Sequence, residues 1–259
     1  FTGSKTGTGS GAGIQFNSTT NLTSGNLVLD GDAGGATGGL YIVGAYTENT
    51  TGNSTLTGDS AGNQGVQINS AVNVTVGGDA SIIGNSTSTG GSLGVYYANT
   101  VTYNITGDLK IEGNTTGTNG GMYIASVTNM TADNIDIDGT TQSSGNAGVR
   151  FVNTTTFNAT NDLDIDGSAD NTHGIEFSNN VTSTVGGTAN ITGTTDSTAG
   201  HAGVYIRGAA NTYDGNHTIS GNSTNTASAW AMGTYYEHAS GTTTADNGTL
   251  TINGTSEGT

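Results

Sequence analysis

Gly121-Met122-Tyr123-Ile124, Val127-Thr128-Asn129-Met130-Thr131 and Asp133-Asn134-Ile135-Asp136-Ile137-Asp138-Gly139 together decide the fold. Each piece alternates apolar and polar residues, the period of a half-buried strand. A polar loop follows, and the three pieces return as Gly148-Val149-Arg150-Phe151, Phe157 to Thr160, and Asp162-Leu163-Asp164-Ile165-Asp166-Gly167. The stretch is one turn of a repeat.

Working outward, the motif Gly-apolar-x-apolar begins at Gly13, Gly39, Gly65, Gly94, Gly121, Gly148, Gly174 and Gly203, at intervals of 26 to 29 residues. A fixed period in this range marks a solenoid. Gly, Asn and Thr at this density disfavour helix. The expected fold is all-β: a right-handed parallel β-helix of about nine coils, each of 26–29 residues with three short strands. At about 4.8 Å per rung the rod is roughly 43 Å long.

The expected core is the alternate positions of each strand. Strand one supplies pairs such as Met122/Ile124 and Val149/Phe151, strand three Ile135/Ile137, Leu163/Ile165 and Leu250/Ile252, and strand two Val74/Val76, Tyr103/Ile105, Met130 and Phe157. Corner glycines are expected to supply left-handed dihedrals. Asn26, Asn53, Asn134 and Asn161 are expected at corners too, laddering their amides along the axis. The ninth coil reads as irregular over 229–245, with Trp230, Met232, Tyr235 and Tyr236 forming an enlarged turn on its flank. Residues 1–259 read as a single β-helix segment, and the pattern starts and stops mid-coil, as in a window of a longer repetitive protein.

The 259 residues include 45 Gly, 49 Thr, 29 Asn and 23 Ser, with no Pro, no Cys and a formal net charge of −16. Four Lys and Arg make no basic nucleic-acid footprint, and the acidic balance opposes an anionic membrane surface. Without Cys there are no disulfides and no thiolate metal sites. No apolar run approaches a transmembrane length.

Four features bear on function. Asn-x-Thr occurs 17 times, against about eight Asn-x-Ser/Thr sites expected from composition. Asn17, Asn49, Asn53, Asn85, Asn114, Asn153 and Asn222 are the glycosylation candidates, with Asn85, Asn114 and Asn222 placed on a loop after the coil-closing Gly. Thr alternating with Asn on exposed strands gives the same text without modification. Second, Asp136 and Asp138 stack near Asp164 and Asp166, with Glu112 and Asp30 in the Asp138 column. A cation between such carboxylates is favourable and Ca²⁺ is the ion such oxygens take, although a solvated acidic face needs none. Third, Tyr41, Tyr96, Tyr123 and Tyr205 occupy the outward position of strand one, as ordinary sheet packing or as a contact face for a sugar or a neighbouring rod. Fourth, His173, His201, His217 and His238 share no column, and Arg150 lies on a different strand from the aspartates, so no catalytic set is assembled and the chain reads as no enzyme.

The unit Gly-Val-Tyr-Ile … Asn-Ile-Thr-Gly-Asp-Leu-x-Ile-x-Gly-Asn-x-Thr, seen from Gly94 to Thr116, resembles passenger repeats of two-partner-secretion adhesins, the filamentous haemagglutinin and high-molecular-weight adhesin families. The resemblance covers nearly the whole chain. It implies a long right-handed β-helix at the cell surface, adhesion to host or sister cells, and glucosylation at Asn-x-Ser/Thr in some members. Nothing within these 259 residues resembles the amino-terminal secretion domain of those families, and coils of about 27 residues exceed their commonest repeats.

The expectation is therefore a structural and adhesive segment of an extracellular, cell-surface adhesin or fibre, N-glycosylated, without a cofactor. Its partners would be a receptor or glycan, or sister rods associating laterally or head to tail, with no nucleic acid and no membrane insertion. The alternatives are a carbohydrate-active β-helix (polysaccharide lyase or tailspike-like depolymerase) and an S-layer or filament subunit. An ice-binding solenoid needs a Thr-x-Thr column on one face of every coil. The threonines shift from strand to strand, which sets it aside.

Overall fold

The computed structural model describes residues 1–6, 11–35, 37–142, 145–224, 231–237 and 241–257. Among them every regular element is a strand and every pairing is parallel. First strands, from Ile14–Phe16 to Met232–Tyr236, stack into one nine-stranded sheet. Second strands, beginning with Thr20–Ser24, and third strands, beginning with Thr2–Lys5 and then Leu27–Ala33, form the other two walls. These merge into continuous strands at Val181–Thr195 and Ala210–Ser223. The fold is a right-handed parallel β-helix of about eight turns, since nine first-strand rungs are eight steps apart. No helix among the described residues is long and apolar enough to cross a membrane.

Register is residue on residue. Ile111, Ile137, Ile165 and Ile191 stack with 0% exposure. Phe151 and Phe177 stack at 5.3 Å between ring centres, and Phe157 meets Phe151 edge-on at 5.5 Å. The alternation dictates this: a seven-residue strand such as Leu109–Thr115 turns every second residue inward, and each inward residue covers its equivalent one rung away. The last rung has no such cover, and Ile252, expected in the core, is 45% exposed. The core also holds residues without an apolar signal. Glu48 is buried in the second coil, accepting hydrogen bonds from the Tyr46 hydroxyl (2.7 Å) and the Thr50 hydroxyl (2.9 Å). Burial beside that carboxylate pushes the Tyr46 hydroxyl pKa far up.

The glycines act differently from expectation. Among the described residues only Gly11, Gly200, Gly215 and Asn247 have positive φ, so the repeated glycines are not left-handed corners. They are points of backbone approach. The mid-strand glycine of each third strand faces the glycine that opens a first strand. A Cβ on Gly58, Gly113 or Gly193 would stand 2.2, 2.3 or 2.0 Å from the carbonyl oxygen of Gly65, Gly121 or Gly203. This pinch closes the apolar core. Beyond it lies a narrow polar one, where Ser86, Thr115 and Thr141 are buried and donate to the Asn63, Ser92 and Asn119 carbonyls (2.6, 3.2 and 2.5 Å). Those bonds hold each connecting loop against the edge of the first-strand wall.

The corner before the third strand is a side-chain ladder. Asn53 N–H donates to Asn26 Oδ1 (2.8 Å), Asp79 N–H to Asn53 Oδ1 (3.0 Å), Asp108 N–H to Asp79 Oδ1 (3.1 Å) and Asp162 N–H to Asn134 Oδ1 (3.1 Å). The column takes Asp162 rather than the expected Asn161, because Leu163 and Ile135 set the register. Nor is the ninth coil a flank turn at its first strand. Met232, Thr234, Tyr235 and Tyr236 pair with Ala202, Val204, Tyr205 and Ile206, and Thr242–Asp246 continues the second-strand wall. Trp230 and residues 238–240 lie outside the described residues.

Candidate functional site

The outward column of the first-strand wall runs Gln15, Tyr41, Gln67, Tyr96, Tyr123, Arg150, Glu176, Tyr205, Tyr235. It contains all four tyrosines singled out in the sequence and adds Tyr235, which stacks on Tyr205 at 5.4 Å and 2°. The expected stripe exists but is not uniform. Tyr41 accepts a hydrogen bond from Asn69 Nδ2 (3.0 Å). Tyr96 and Tyr123 stand one rung apart with rings 5.7 Å apart and tilted by 47°.

These two rings wall a cleft of about 320 Å³ whose other sides are Gln64, Leu93, Asn119 and Asn146. Gln64 and Asn119 come from loops fastened by the polar core, and Asn146 from the equivalent loop one coil on. Asn119 Oδ1 accepts from Asn146 Nδ2 (3.3 Å), and Asn146 Oδ1 accepts from Arg150 (2.7 Å). Gln64 Oε1 is buried and has no hydrogen-bond partner. A buried, unpaired amide oxygen is costly, and native sites that retain one commonly have a ligand or water to supply the missing donor. Sequence reading found the rings and missed the amides, which lie in loops without periodicity. Arg150 caps one end, 5.5 Å from the Tyr123 ring centre. Its Nε is 3.1 Å from Glu176 Oε2, off the N–H direction, so the contact is an ion pair and not a hydrogen bond.

At the far end of the column the histidines are closer than expected. His173 and His201 meet at 4.8 Å edge to face, and His173 stacks on Tyr205 at 4.5 Å. Ala202 N–H donates to His173 Nδ1 (2.9 Å), so that nitrogen carries no proton. His217 is a core residue, 2% exposed, bonded through Nε2 to the Ser183 hydroxyl (2.8 Å). His238 lies outside the described residues. Burial, with His201 beside it, pushes the His173 pKa down from 6.5 to about 4. The depressed value means the unfolded chain binds the proton more readily. The contribution is therefore fully present above pH 6.5 and is lost as pH falls towards 4. Wild type is expected to lose about 2–3 kcal/mol more stability than His173→Gln between pH 7 and 4.5. Equal losses in urea unfolding at the two pH values would show that His173 is not buried as described.

The acidic column is in the expected register, Asp136 on Asp164 and Asp138 on Asp166, with Glu112 on Asp138. The missing piece was Lys110. Its Nζ lies 3.2 Å from Glu112, 3.8 Å from Asp138 and 4.0 Å from Asp136, so a side chain supplies the cation between the carboxylates. Burial pushes the Asp136, Asp138 and Asp166 carboxyls up, and hydrogen bonding to Glu112 pushes Lys110 up. Lys110, Asp136 and Asp164 border a groove of about 490 Å³ along the corner ladder. Among the described residues no group of three or more His, Asp or Glu is placed to hold a metal ion.

The sequons divide by wall. Asn85, Asn114 and Asn222 are inside third strands, not on loops as expected, because the strand continues past its glycine for two residues. Their amides are engaged: Asn85 Nδ2 donates to Asp59 (2.8 Å), Asn114 Nδ2 to Asn85 (3.2 Å), and Asn222 Oδ1 accepts from Thr255 (2.9 Å). Asn53 is at the corner ladder, and Asn153 Nδ2 donates to the Ala125 carbonyl (2.9 Å). Asn17 and Asn49 are exposed. On the second-strand wall Asn21-x-Thr23, Asn73-x-Thr75 and Asn129-x-Thr131 alternate rung by rung with Thr47-x-Asn49, Thr102-x-Asn104 and Thr156-x-Asn158. The threonines that seemed to drift from strand to strand thus share one face with the asparagines. No Thr-x-Thr column repeats on this wall, as expected, but one-rung alternation hid a repeated mixed Asn/Thr face. Searches against protein-family models, curated proteins and solved structures return no match.

Proposed function

We propose that this chain is a non-catalytic, stiff adhesive segment of an extracellular, cell-surface adhesin or fibre, with the Tyr96–Tyr123 cleft as its glycan-contact site. The observation that carries this reading is the cleft itself: two aromatic faces, three amides and a buried oxygen awaiting a donor. Aromatic rings cover the apolar C–H face of a pyranose, while amides both donate to and accept from its hydroxyls. The six cleft residues carry no charge, and Arg150 is occupied by Glu176 and Asn146, so the matching ligand is a neutral saccharide unit. The residue-on-residue stack supplies the stiffness that a stalk requires.

Binding to arrayed neutral glycans is the test. Two rings at about 1 kcal/mol each give roughly a thirty-fold loss in affinity for Tyr96→Ala/Tyr123→Ala, with an unchanged melting temperature. Gln64→Ala, which removes the unpaired oxygen, is expected to lose affinity as well. Absence of binding to any neutral glycan, or equal binding by the double variant, would remove the cleft as the contact site.

The groove at Lys110 favours the carbohydrate-active alternative. Lys110 is held charged by Glu112, so it would stabilise developing negative charge and not serve as base, leaving that role to Asp136. Cleavage of a uronate polymer by wild type but not by Lys110→Ala would replace the adhesive reading.

A further inference from the structure

The second-strand wall from Thr20 to Ala159 carries an outward face that neither the glycan cleft nor the core explains. Six consecutive rungs each show one Asn and one Thr, and their order reverses at every rung. The asparagines of the third-strand wall bond to neighbours one rung away, as Asn114 does to Asn85. None of the twelve outward side chains of this face makes a hydrogen bond to another described residue, whereas inward side chains of the same wall do, as Tyr46 and Thr50 do to Glu48. The alternation causes this: successive asparagines in a column are two rungs, about 9.6 Å, apart, too far for amide to meet amide. The amides are thereby left available to an outside partner.

We propose that this face binds a second copy of the chain, face to face, as a polar Asn/Thr zipper. Charge points to this occupant. The chain carries a net −16, and the third-strand wall places Asp138, Asp164 and Asp166 outward. The six rungs carry no charged outward side chain, so two rods can approach there without setting carboxylate against carboxylate. Shape points the same way. The parallel two-fold placement, and the antiparallel one that overlaps all six rungs, put each Asn opposite a Thr. With the rods parallel the two columns exchange, and with the rods antiparallel about the centre of six rungs the alternation is out of step. Long amides then meet short hydroxyls, the self-complementarity that an isologous contact requires, and laddered polar side chains are a known means of joining stacked sheets. Six rungs of about 4.8 Å and a five-residue strand of about 3.4 Å per residue give roughly 500 Å² per copy. The total of roughly 1,000 Å² sits at the lower edge of specific interfaces, so the dimer is weak and concentration-dependent.

Sedimentation velocity across protein concentration tests the proposal, because it reads mass and not glycan binding. Wild type is expected to shift from monomer to dimer as concentration rises. Thr75→Glu/Thr102→Glu, which places two carboxylates at the centre of the face, is expected to weaken dimerisation at least tenfold with an unchanged melting temperature. The chain has no Cys, so a single introduced thiol reports position. Thr75→Cys is expected to link to its copy through a short bis-maleimide, and Tyr41→Cys on the first-strand wall is not. A monomer at every concentration, equal dimerisation by the Glu variant, or equal linking from both walls overturns the proposal. So does a monomer that shapes ice crystals and loses that ability in the Glu variant, which would assign the face to ordered water.

Discussion

Ile137→Asp is expected to destroy cooperative folding of the middle of the rod. Ile137 is 0% exposed and lies between Ile111 and Ile165 in a column of isoleucines. An aspartate there loses the packing of a buried aliphatic chain and must either hold an unpaired charge in a dry interior or take up a proton. The two costs together exceed about 4 kcal/mol. In a solenoid each coil is supported only by its neighbours, so failure of one rung uncouples both halves. Far-UV circular dichroism in urea should show a midpoint far below wild type, or two transitions where there was one. Asp136→Asn is the control, because Asp136 points outward, half-buried beside Lys110, and its replacement leaves the stack intact. A wild-type midpoint for Ile137→Asp would mean that the third strand is assigned to the wrong face.

How far the fold was legible follows from the same column. Alternation names Ile135/Ile137 and Leu163/Ile165 because inward and outward residues differ in polarity at every step, and stacking repeats the statement coil after coil. Legibility ends where that contrast ends. Tyr46-Thr47-Glu48-Asn49-Thr50 has no apolar alternation, yet Glu48 is buried because Tyr46 and Thr50 satisfy it. Trp230 to Ser240 looked like an irregular turn because Thr234 takes the inward place usually held by Val or Ile. The site was half legible. Its rings lie on a strand, where position follows from period. Gln64, Asn119 and Asn146 lie on loops that have no period of their own; hydrogen bonds from Ser86 and Thr141 to the Asn63 and Asn119 carbonyls place the first two, and bonds to Asn119 and Arg150 place the third. The Asn/Thr face was hidden for another reason: a search for a fixed residue in a column fails when two residue types alternate in it.

The adhesive reading and the self-association proposal use different walls of one triangular rod. The tyrosine cleft is on the first-strand wall and the Asn/Thr face on the second. A pair of rods joined through the second wall therefore leaves both clefts open, and two weak saccharide contacts on one stiff unit would reinforce each other through effective concentration. Loss of the pair should then lower avidity for a glycan-coated surface while leaving the affinity for a single soluble saccharide unchanged.

Gly139→Ala, the smallest possible addition, is expected to rival Ile137→Asp in effect. A Cβ on Gly139 would stand 2.2 Å from the Gly148 carbonyl oxygen and 2.5 Å from Val149 Cγ2. The oxygen belongs to backbone bonded into the next rung, where Met122 N–H donates to it at 2.8 Å, so it cannot swing away as a flexible side-chain end would. Relief requires the first and third walls to separate, which opens the apolar core at the pinch and pulls Thr141 from the Asn119 carbonyl. A loss of more than about 3 kcal/mol is expected. The loop that carries Asn119 should shift with it, and Asn146 bonds to Asn119 from the loop one coil on, so affinity for a saccharide at the Tyr96–Tyr123 cleft should fall even in the fraction that remains folded. Gly25→Ala separates this argument from a general cost of replacing glycine. Nothing lies within 4 Å of a Cβ at Gly25, and the substitution only restricts the unfolded chain, so it should be neutral or stabilising by roughly 0.5 kcal/mol. If urea midpoints place Gly139→Ala beside Gly25→Ala, the two glycine columns do not touch, and the pinch that separates the apolar core from the polar one does not exist.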